Sequence, residues 1–279
     1  MPLKVALHGV GAMGRHHARH LEALGVALVC VDAAQGHHGD PTGVDAAVIA
    51  VPTAAHVAVA LPYLDRGIPC LVEKPLAASV ADAARLAAYP HLAVGHVERF
   101  NPTLRALDGV DIRFLQTERL AAYSARGTDV DVILDLMIHD LDLFLHLVGD
   151  DLVDVRANGI AVATGGVDLA QARVETRDGR VGTFTASRVS RKKARVLRAF
   201  TDGAYWSLDL GARLGARVTW GAEGLEEAPI VVPAADPLQA ELAAFLAAVR
   251  GEGPFVASGA SALAAVQLAL RIQGLCAAS

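Results

Sequence analysis

Three glycines in the run Gly9-Val10-Gly11-Ala12-Met13-Gly14 constrain this chain more than any other feature. They follow a short apolar strand pattern, Leu3 to His8, and open a helical pattern, Met13 to Leu24, that stops at Gly25. A strand that turns within a few glycines into a helix starts a β-α-β unit, because a side chain would obstruct both the turn and the close helix–strand approach. The alternation continues downstream. Ala27 to Val31, Ala46 to Val51, Cys70 to Val72 and His91 to Gly95 read as strands, and His56 to Arg66 and Val80 to Ala88 as helices. Such an order predicts α/β architecture, a Rossmann-like doubly wound parallel sheet with helices on both faces. Pro62 should kink the second helix, since it removes a backbone donor.

In that strand–turn–helix context the glycine run predicts a dinucleotide site. Gly9 allows the turn, Gly11 lets a pyrophosphate approach the backbone, and Gly14 lets the helix pack on the strand. Ala12 and Met13 begin the helix, whose free N–H groups and positive dipole end favour phosphate. Asp32 ends the second strand, where its carboxylate would accept from a ribose hydroxyl and repel a 2′-phosphate. NAD is therefore favoured over NADP. From Ala33 to Asp45 the chain reads AAQGHHGDPTGVD, a loop composition where a helix and strand are expected. This predicts an adenine pocket open on one side and weaker dinucleotide binding. His37 and His38 read as solvated, and no metal is expected.

Composition narrows the class. With 53% hydrophobic and 20% charged residues the chain belongs among compact globular proteins, and a net charge of −5 argues against a nucleic-acid partner. Cys30, Cys70 and Cys276 form no C-x-x-C pair, which predicts reduced thiols, a cytoplasmic location and no zinc. The N-terminus runs into a strand without a signal-peptide layout. The charge-free stretch Ala46 to Leu64 has the length of a membrane span, but Pro52, Thr53, His56 and Pro62 interrupt it. It reads as strand plus helix, with no membrane implied.

Beyond residue 150 the pattern changes. Leu152 to Val162, Ala170 to Thr176, Val181 to Val189, Ala194 to Phe200, Tyr205 to Asp209 and Arg217 to Trp220 read as strands, with turns at Asp178-Gly179 and Asp202-Gly203. Pro237 to Arg250 and Ser261 to Cys276 read as closing helices. The expected division is a dinucleotide-binding domain over 1–98 and an α+β domain with an open, mainly antiparallel sheet over 99–279.

Between the halves lies DVILDLMIHDLDLFLHLVG, Asp131 to Gly149, a helix apolar almost all round. One line of polar groups interrupts it: Asp135, His139, Asp142 and His146, spaced to share a face. Burying carboxylates and imidazoles is costly unless they are paired or face a wet cavity, so the stripe reads as the wall of a site or as a buried structural pair.

Taken together, the glycine run, Asp32, the block AVIAVPTAAH, Glu73-Lys74-Pro75 and D-x-x-x-H-D-x-D resemble the Gfo/Idh/MocA oxidoreductases over essentially the whole chain, though Met137 stands where that family commonly has glycine. The resemblance implies NAD(P)-dependent oxidation or reduction at one carbon of a sugar, cyclitol or related alcohol. It implies that Pro52, Thr53, His56, Glu73 and Lys74 border the cofactor and that the second sheet mediates homodimer or homotetramer contacts. Oxidising an alcohol needs a base for the hydroxyl proton while hydride leaves. His139 suits that role, Asp135 would orient it, and Lys74 would polarise the reacting oxygen. Asp142 would contact substrate or support the site from behind.

Gly95-His96-Val97-Glu98-Arg99-Phe100-Asn101-Pro102 is similar to a motif of the branch that includes UDP-N-acetylglucosamine 3-dehydrogenases. Arg99 and Asn101 would then face the sugar, or cap the crossover. The basic run Arg188 to Arg198 includes Lys193 and Arg195, which alternate onto one face and would take a diphosphate, unless the run is a solvated sheet edge. The expected function is thus NAD-dependent oxidation of the 3-hydroxyl of UDP-N-acetylglucosamine. The alternatives are a free sugar, inositol or tetrapyrrole as substrate, or a non-catalytic NAD-binding sensor.

Overall fold

The computed structural model describes residues 2–123 and 130–277. Contacts divide the chain into two compact units, Met1–Phe100 with Ala235–Val266, and Asn101–Ala234 with Gln267–Ser279.

The first unit holds a six-stranded sheet in the order β3-β2-β1-β4-β5-β6, where β1 is Lys4–His8, β2 Ala27–Asp32, β3 His37–His38, β4 Ala46–Ile49, β5 Cys70–Glu73 and β6 Leu92–Gly95. All pairs are parallel except β2–β3. The strands β4, β5 and β6 are buried throughout, as parallel strands covered on both faces must be. Helices α1 (Ala12–Ala23), α2 (His56–Leu64) and α3 (Val80–Ala87) alternate with them. The charge-free stretch thus resolves into β4 and α2. Pro62 sits near the C-terminal end of α2, where the helix stops at Leu64, before the expected Arg66. The segment after Asp32 forms a short 3-10 turn, Ala33–Gln35, and then returns as the edge strand β3. Its pairing with β2 was not expected.

The closing helices change the expected division at residue 98. Helix α5 (Pro237–Val249) packs Leu242, Phe245 and Leu246 into one core with Val5, Leu7, Leu21, Val48 and Leu71, so it belongs to the first unit, not to a 99–279 domain. Its apolar face is what a parallel sheet needs as cover. The last helix, α6 (Gly259–Ala277), begins in the first unit and ends in the second. Its 19 residues are long and apolar enough to cross a membrane. Ala265, Val266, Ala269 and Ile272 are fully buried in the protein, which accounts for much of that apolarity.

The second unit holds an eight-stranded sheet, β14-β13-β12-β11-β7-β10-β9-β8. In chain order the strands are β7 Phe114–Leu120, β8 Leu152–Ile160, β9 Leu169–Thr176, β10 Val181–Ser187, β11 Ala194–Thr201, β12 Ala204–Asp209, β13 Leu214–Gly221 and β14 Gly224–Pro229. Only β7–β10 pairs in parallel, so the sheet is mainly antiparallel as expected. Helix α4 (Ile138–Leu147) sets Phe144 edge-on against Phe184 of β10, ring centroids 5.7 Å apart. Strands β7 and β14 were not expected. The inward positions of β7 include Thr117 and Arg119, which hide its alternation, and β14 is an exposed edge carrying two glutamates and a proline.

Candidate active site

In the first unit, the strand register brings the predicted cofactor residues to one edge of the sheet. His8 lies opposite both Val31 and Ile49, and Glu73 opposite Gly95, so the carboxyl ends of five parallel strands align. Ligands bind at that edge in open α/β sheets. Gly9 has φ +85°, and a Cβ on it would lie 2.5 Å from the Ala50 carbonyl oxygen. A Cβ on Gly14 would collide with the carbonyl oxygen of Gly9. Those two glycines are required by the protein itself. Gly11 is different: a Cβ there would meet nothing within 4 Å, and no side chain caps the helix it opens. Open space over the uncapped N-terminus of α1 fits a pyrophosphate. Ala12 is exposed there, while Met13 turns partly into the core.

This difference yields a test. Gly11→Ala is expected to leave the melting temperature unchanged, because nothing among the described residues opposes the methyl group. It should weaken NAD binding by about tenfold or more, ~1.4 kcal/mol, read by fluorescence titration. Unchanged affinity would place the pyrophosphate elsewhere.

Asp32 accepts from Val10 N–H at 2.9 Å through Oδ2 and from Gln35 N–H at 3.3 Å through Oδ1. It therefore braces the glycine loop, a role sequence reasoning did not assign, and stays partly exposed at the end of β2. Pro52 is exposed and Thr53 half-buried just beyond β4. His56 corrects an expectation. Its ring is buried between two carbonyls, with Nε2 3.0 Å from Val51 O and Nδ1 3.2 Å from Leu76 O, and its one N–H donates to one of them, so it packs between two loops rather than presenting itself to a cofactor.

Glu73 likewise turns inward. Its Oε1 lies 2.7 Å from His17 Nε2, and its Oε2 accepts the Lys74 backbone N–H at 3.1 Å. Burial alone would raise its carboxyl, but the His17 hydrogen bond and charge, with that of Lys74, outweigh it and hold the group below the usual carboxylate range. A carboxylate depressed in this way stabilises the fold above its unfolded pKa and loses that contribution as pH falls through the folded one. His17 was missed in the sequence, where it is one histidine among several on α1. Lys74 follows at the sheet edge, half-buried. Arg99 is half-buried in the 3-10 turn Val97–Phe100.

The second unit carries the helical stripe. Its first turn is not a regular α-helix: Ile133–Met137 forms a π turn, and α4 begins at Ile138. Such turns recur at functional sites. Asp131 caps it, Oδ1 accepting from Ile133 and Leu134 N–H at 3.0 Å each, while Oδ2 accepts from Gln273 at 2.7 Å. Asp135 and His139 are the half-exposed members of the stripe, Asp142 is buried and His146 exposed.

Two ion pairs support this helix, one buried and one with its carboxylate partly exposed, and neither was anticipated. Asp140, one residue off the stripe, receives a forked hydrogen bond from Arg119 of β7, Nη2 at 2.7 Å and Nε at 3.0 and 3.2 Å, with both residues 3% exposed. Arg188, assigned from the sequence to a surface run, is 5% exposed and 3.8 Å from Asp135. Asp168 was also missed. It is buried, and its carboxylate accepts from the N–H groups of Val162, Ala163 and Thr164 and from the Thr164 hydroxyl. Although burial opposes ionisation, those bonds hold its carboxyl far below the usual range and close the loop before β9.

Of the two readings open for Asn101 the structure shows the cap, and one further expectation, for Lys193, changes. Asn101 does not present its amide to a ligand: Nδ2 donates to Leu210 O at 3.0 Å, and Oδ1 accepts from Thr103 N–H and hydroxyl. It caps the turn Pro102–Leu107. Lys193 lies in the irregular link directly before β11 rather than on a strand face with Arg195. Arg195 is exposed and sits opposite Arg119 in the β11–β7 register.

Residues 32–91 match the oxidoreductase family with an NAD-binding Rossmann fold, and residues 109–205 match the GFO/IDH/MocA C-terminal domain. UDP-N-acetylglucosamine 3-dehydrogenase of Acidithiobacillus ferrooxidans is 33% identical, covering 97% of this chain and 96% of that protein. A solved structure of that enzyme superposes with a TM-score of 0.91 at 32% identity, over 100% of this chain and 98% of the other. Myo-inositol dehydrogenase Hyg17 of Streptomyces leeuwenhoekii is 30% identical over 67% of this chain and 70% of its own. Levoglucosan dehydrogenase, solved with NADH and levoglucosan, shares the fold at a TM-score of 0.86 and 16% identity over 100% of this chain and 98% of its own.

Fold, glycine loop and relatives together define an NAD(P)-dependent dehydrogenase acting on CH–OH groups. The chain belongs to the Gfo/Idh/MocA family.

Proposed function

We propose that this enzyme uses NAD to oxidise the 3-hydroxyl of UDP-N-acetylglucosamine to the 3-keto sugar. The observation that carries the reading is likeness to the A. ferrooxidans enzyme along nearly the whole of both chains. The segment Gly95–Pro102 and the helix text DLMIHDLD, similar to that branch, support it.

Bound at the glycine loop, NAD supplies the hydride acceptor. His139 takes the hydroxyl proton as hydride leaves the same carbon. Asp135, four residues earlier, orients the imidazole. Lys74 donates to the reacting oxygen and stabilises the charge that develops on it. Asp142 supports that helix face from within. Preference for NAD over NADP rests on the Asp32 carboxylate at the end of β2, which would repel a 2′-phosphate. Arg195 and Lys193 are exposed cations suited to a diphosphate. We further propose a homodimer or homotetramer formed through the second sheet, whose β13–β14 end exposes Leu214, Trp220 and Leu225. Light scattering of the purified chain reads this directly, and a monomer at all concentrations would refute it.

The testing experiment is a panel of initial rates with NAD and with NADP, using UDP-N-acetylglucosamine, UDP-glucose, N-acetylglucosamine, glucose and myo-inositol. Turnover restricted to UDP sugars, faster with NAD, supports the proposal. Turnover with free polyols alone moves the substrate toward the inositol-dehydrogenase relatives, which reach 30% identity. NAD binding without reduction by any substrate would leave a sensor.

A further inference from the structure

Arg188 lies just beyond β10, continuing the alternation that buries Phe184 and Ala186. Its backbone N–H donates to the Asp168 carbonyl at 2.9 Å, and the Asp168 carboxylate is itself held by four hydrogen bonds. The arginine is thus rooted in a rigid part of the second unit. Its Nη2 donates to the carbonyl of Val130 at 2.8 Å and lies 3.8 Å from Asp135 Oδ2. Val130 immediately precedes Asp131, the residue that caps the π turn, and Asp135 sits in the middle of that turn. One guanidinium therefore grips the chain before the helix and faces the carboxylate within its first turn.

Two features separate this from an ordinary structural arginine. The Nε atom is buried and has no hydrogen-bond partner among the described residues. Burying an unsatisfied donor is unfavourable, so the fork is not arranged for its own best bonding. In addition, Asp135 sits within a π turn, a local departure from the regular α-helix that is frequent at functional sites.

We infer that Arg188 is a positioning residue: its buried guanidinium holds the Asp135 carboxylate in the orientation that serves His139. The inference rests on the proposed role of Asp135 and His139. It removes Arg188 from the surface run to which its sequence neighbours Arg191, Lys192 and Lys193 belong, all of which are exposed.

The test combines kinetics with structure. In Arg188→Met, kcat should fall up to about 100-fold, as a small displacement of a reacting group does, while KM for the sugar and the Kd for NAD stay unchanged. Arg188→Lys, which keeps the charge without the fork, should recover part of that loss. In an Asp135→Asn background the Arg188→Met change should cost no further rate. Equal losses in both backgrounds, or an unaltered kcat, would overturn the assignment. Should Arg188→Met fail to fold, Arg188→Lys and Arg188→Gln carry the same comparison. The wild-type rate, measured first, keeps this separate from the dehydrogenase reading. If wild type reduces no NAD, crystal structures of wild type and Arg188→Lys decide alone: a shifted Asp135 carboxylate supports the assignment, and an unmoved one rejects it.

Discussion

In His139→Ala, kcat for alcohol oxidation is expected to fall by about 10²- to 10⁴-fold, the usual contribution of a positioned general base. Imidazole is the side chain that accepts and releases protons near neutrality, and His139 is half-exposed on a helix otherwise nearly apolar. The glycine loop belongs to the first unit and His139 to the second, and NAD affinity should not change. The fold should not change either, because His139 as a whole is half-exposed and lies outside the apolar core. Lys74→Ala is expected to lose a comparable factor by a different route, through the charge it places on the reacting oxygen. The two losses should not multiply, since residues acting on one transition state are non-additive. Single-turnover kinetics with saturating NAD measures both. Either variant retaining near-native rates would refute the assigned chemistry.

Arg119→Met is expected to give the largest loss of stability. The side chain and its partner Asp140 are both 3% exposed, with a forked geometry that satisfies both oxygens of the carboxylate. Removing the arginine strands a buried carboxylate, which costs about 3–5 kcal/mol. Replacing both partners by apolar groups should restore much of that, because the desolvation penalty then disappears with the charge. Urea unfolding of Arg119→Met, Asp140→Leu and the double variant measures the three values. A single-variant loss of about 1 kcal/mol or less, typical of exposed pairs, would show that the pair is not a buried anchor.

The pair also shows where sequence reasoning stops. The first sheet was legible because apolar runs and glycines mark parallel strands without reference to distant residues, and β4, β5 and β6 are buried along their lengths. Strand β7 was not legible. Its inward position at Arg119 is tolerable only because Asp140, distant in sequence, neutralises it, and no local pattern reports that partner. For the same reason Arg188 looked like surface charge, Glu73 and His56 looked like cofactor contacts, and Asn101 stayed open between sugar contact and cap. Each is engaged by a residue or carbonyl elsewhere in the chain. Helix α5 joined the wrong domain because its alanine-rich apolarity does not say which sheet it covers. By contrast Gly9 and Gly14 kept the turn and helix-packing roles expected of them, since backbone geometry at a tight turn is a local matter.

The most direct test follows the hydride. UDP-N-acetylglucosamine carrying deuterium at carbon 3 would be incubated with the enzyme and NAD, and the reduced cofactor analysed by mass spectrometry. Deuterium in the NADH, with a slowed single-turnover rate, is the predicted result. Unlabelled NADH would place oxidation at another carbon, and bound NAD that is never reduced would contradict the proposed function itself.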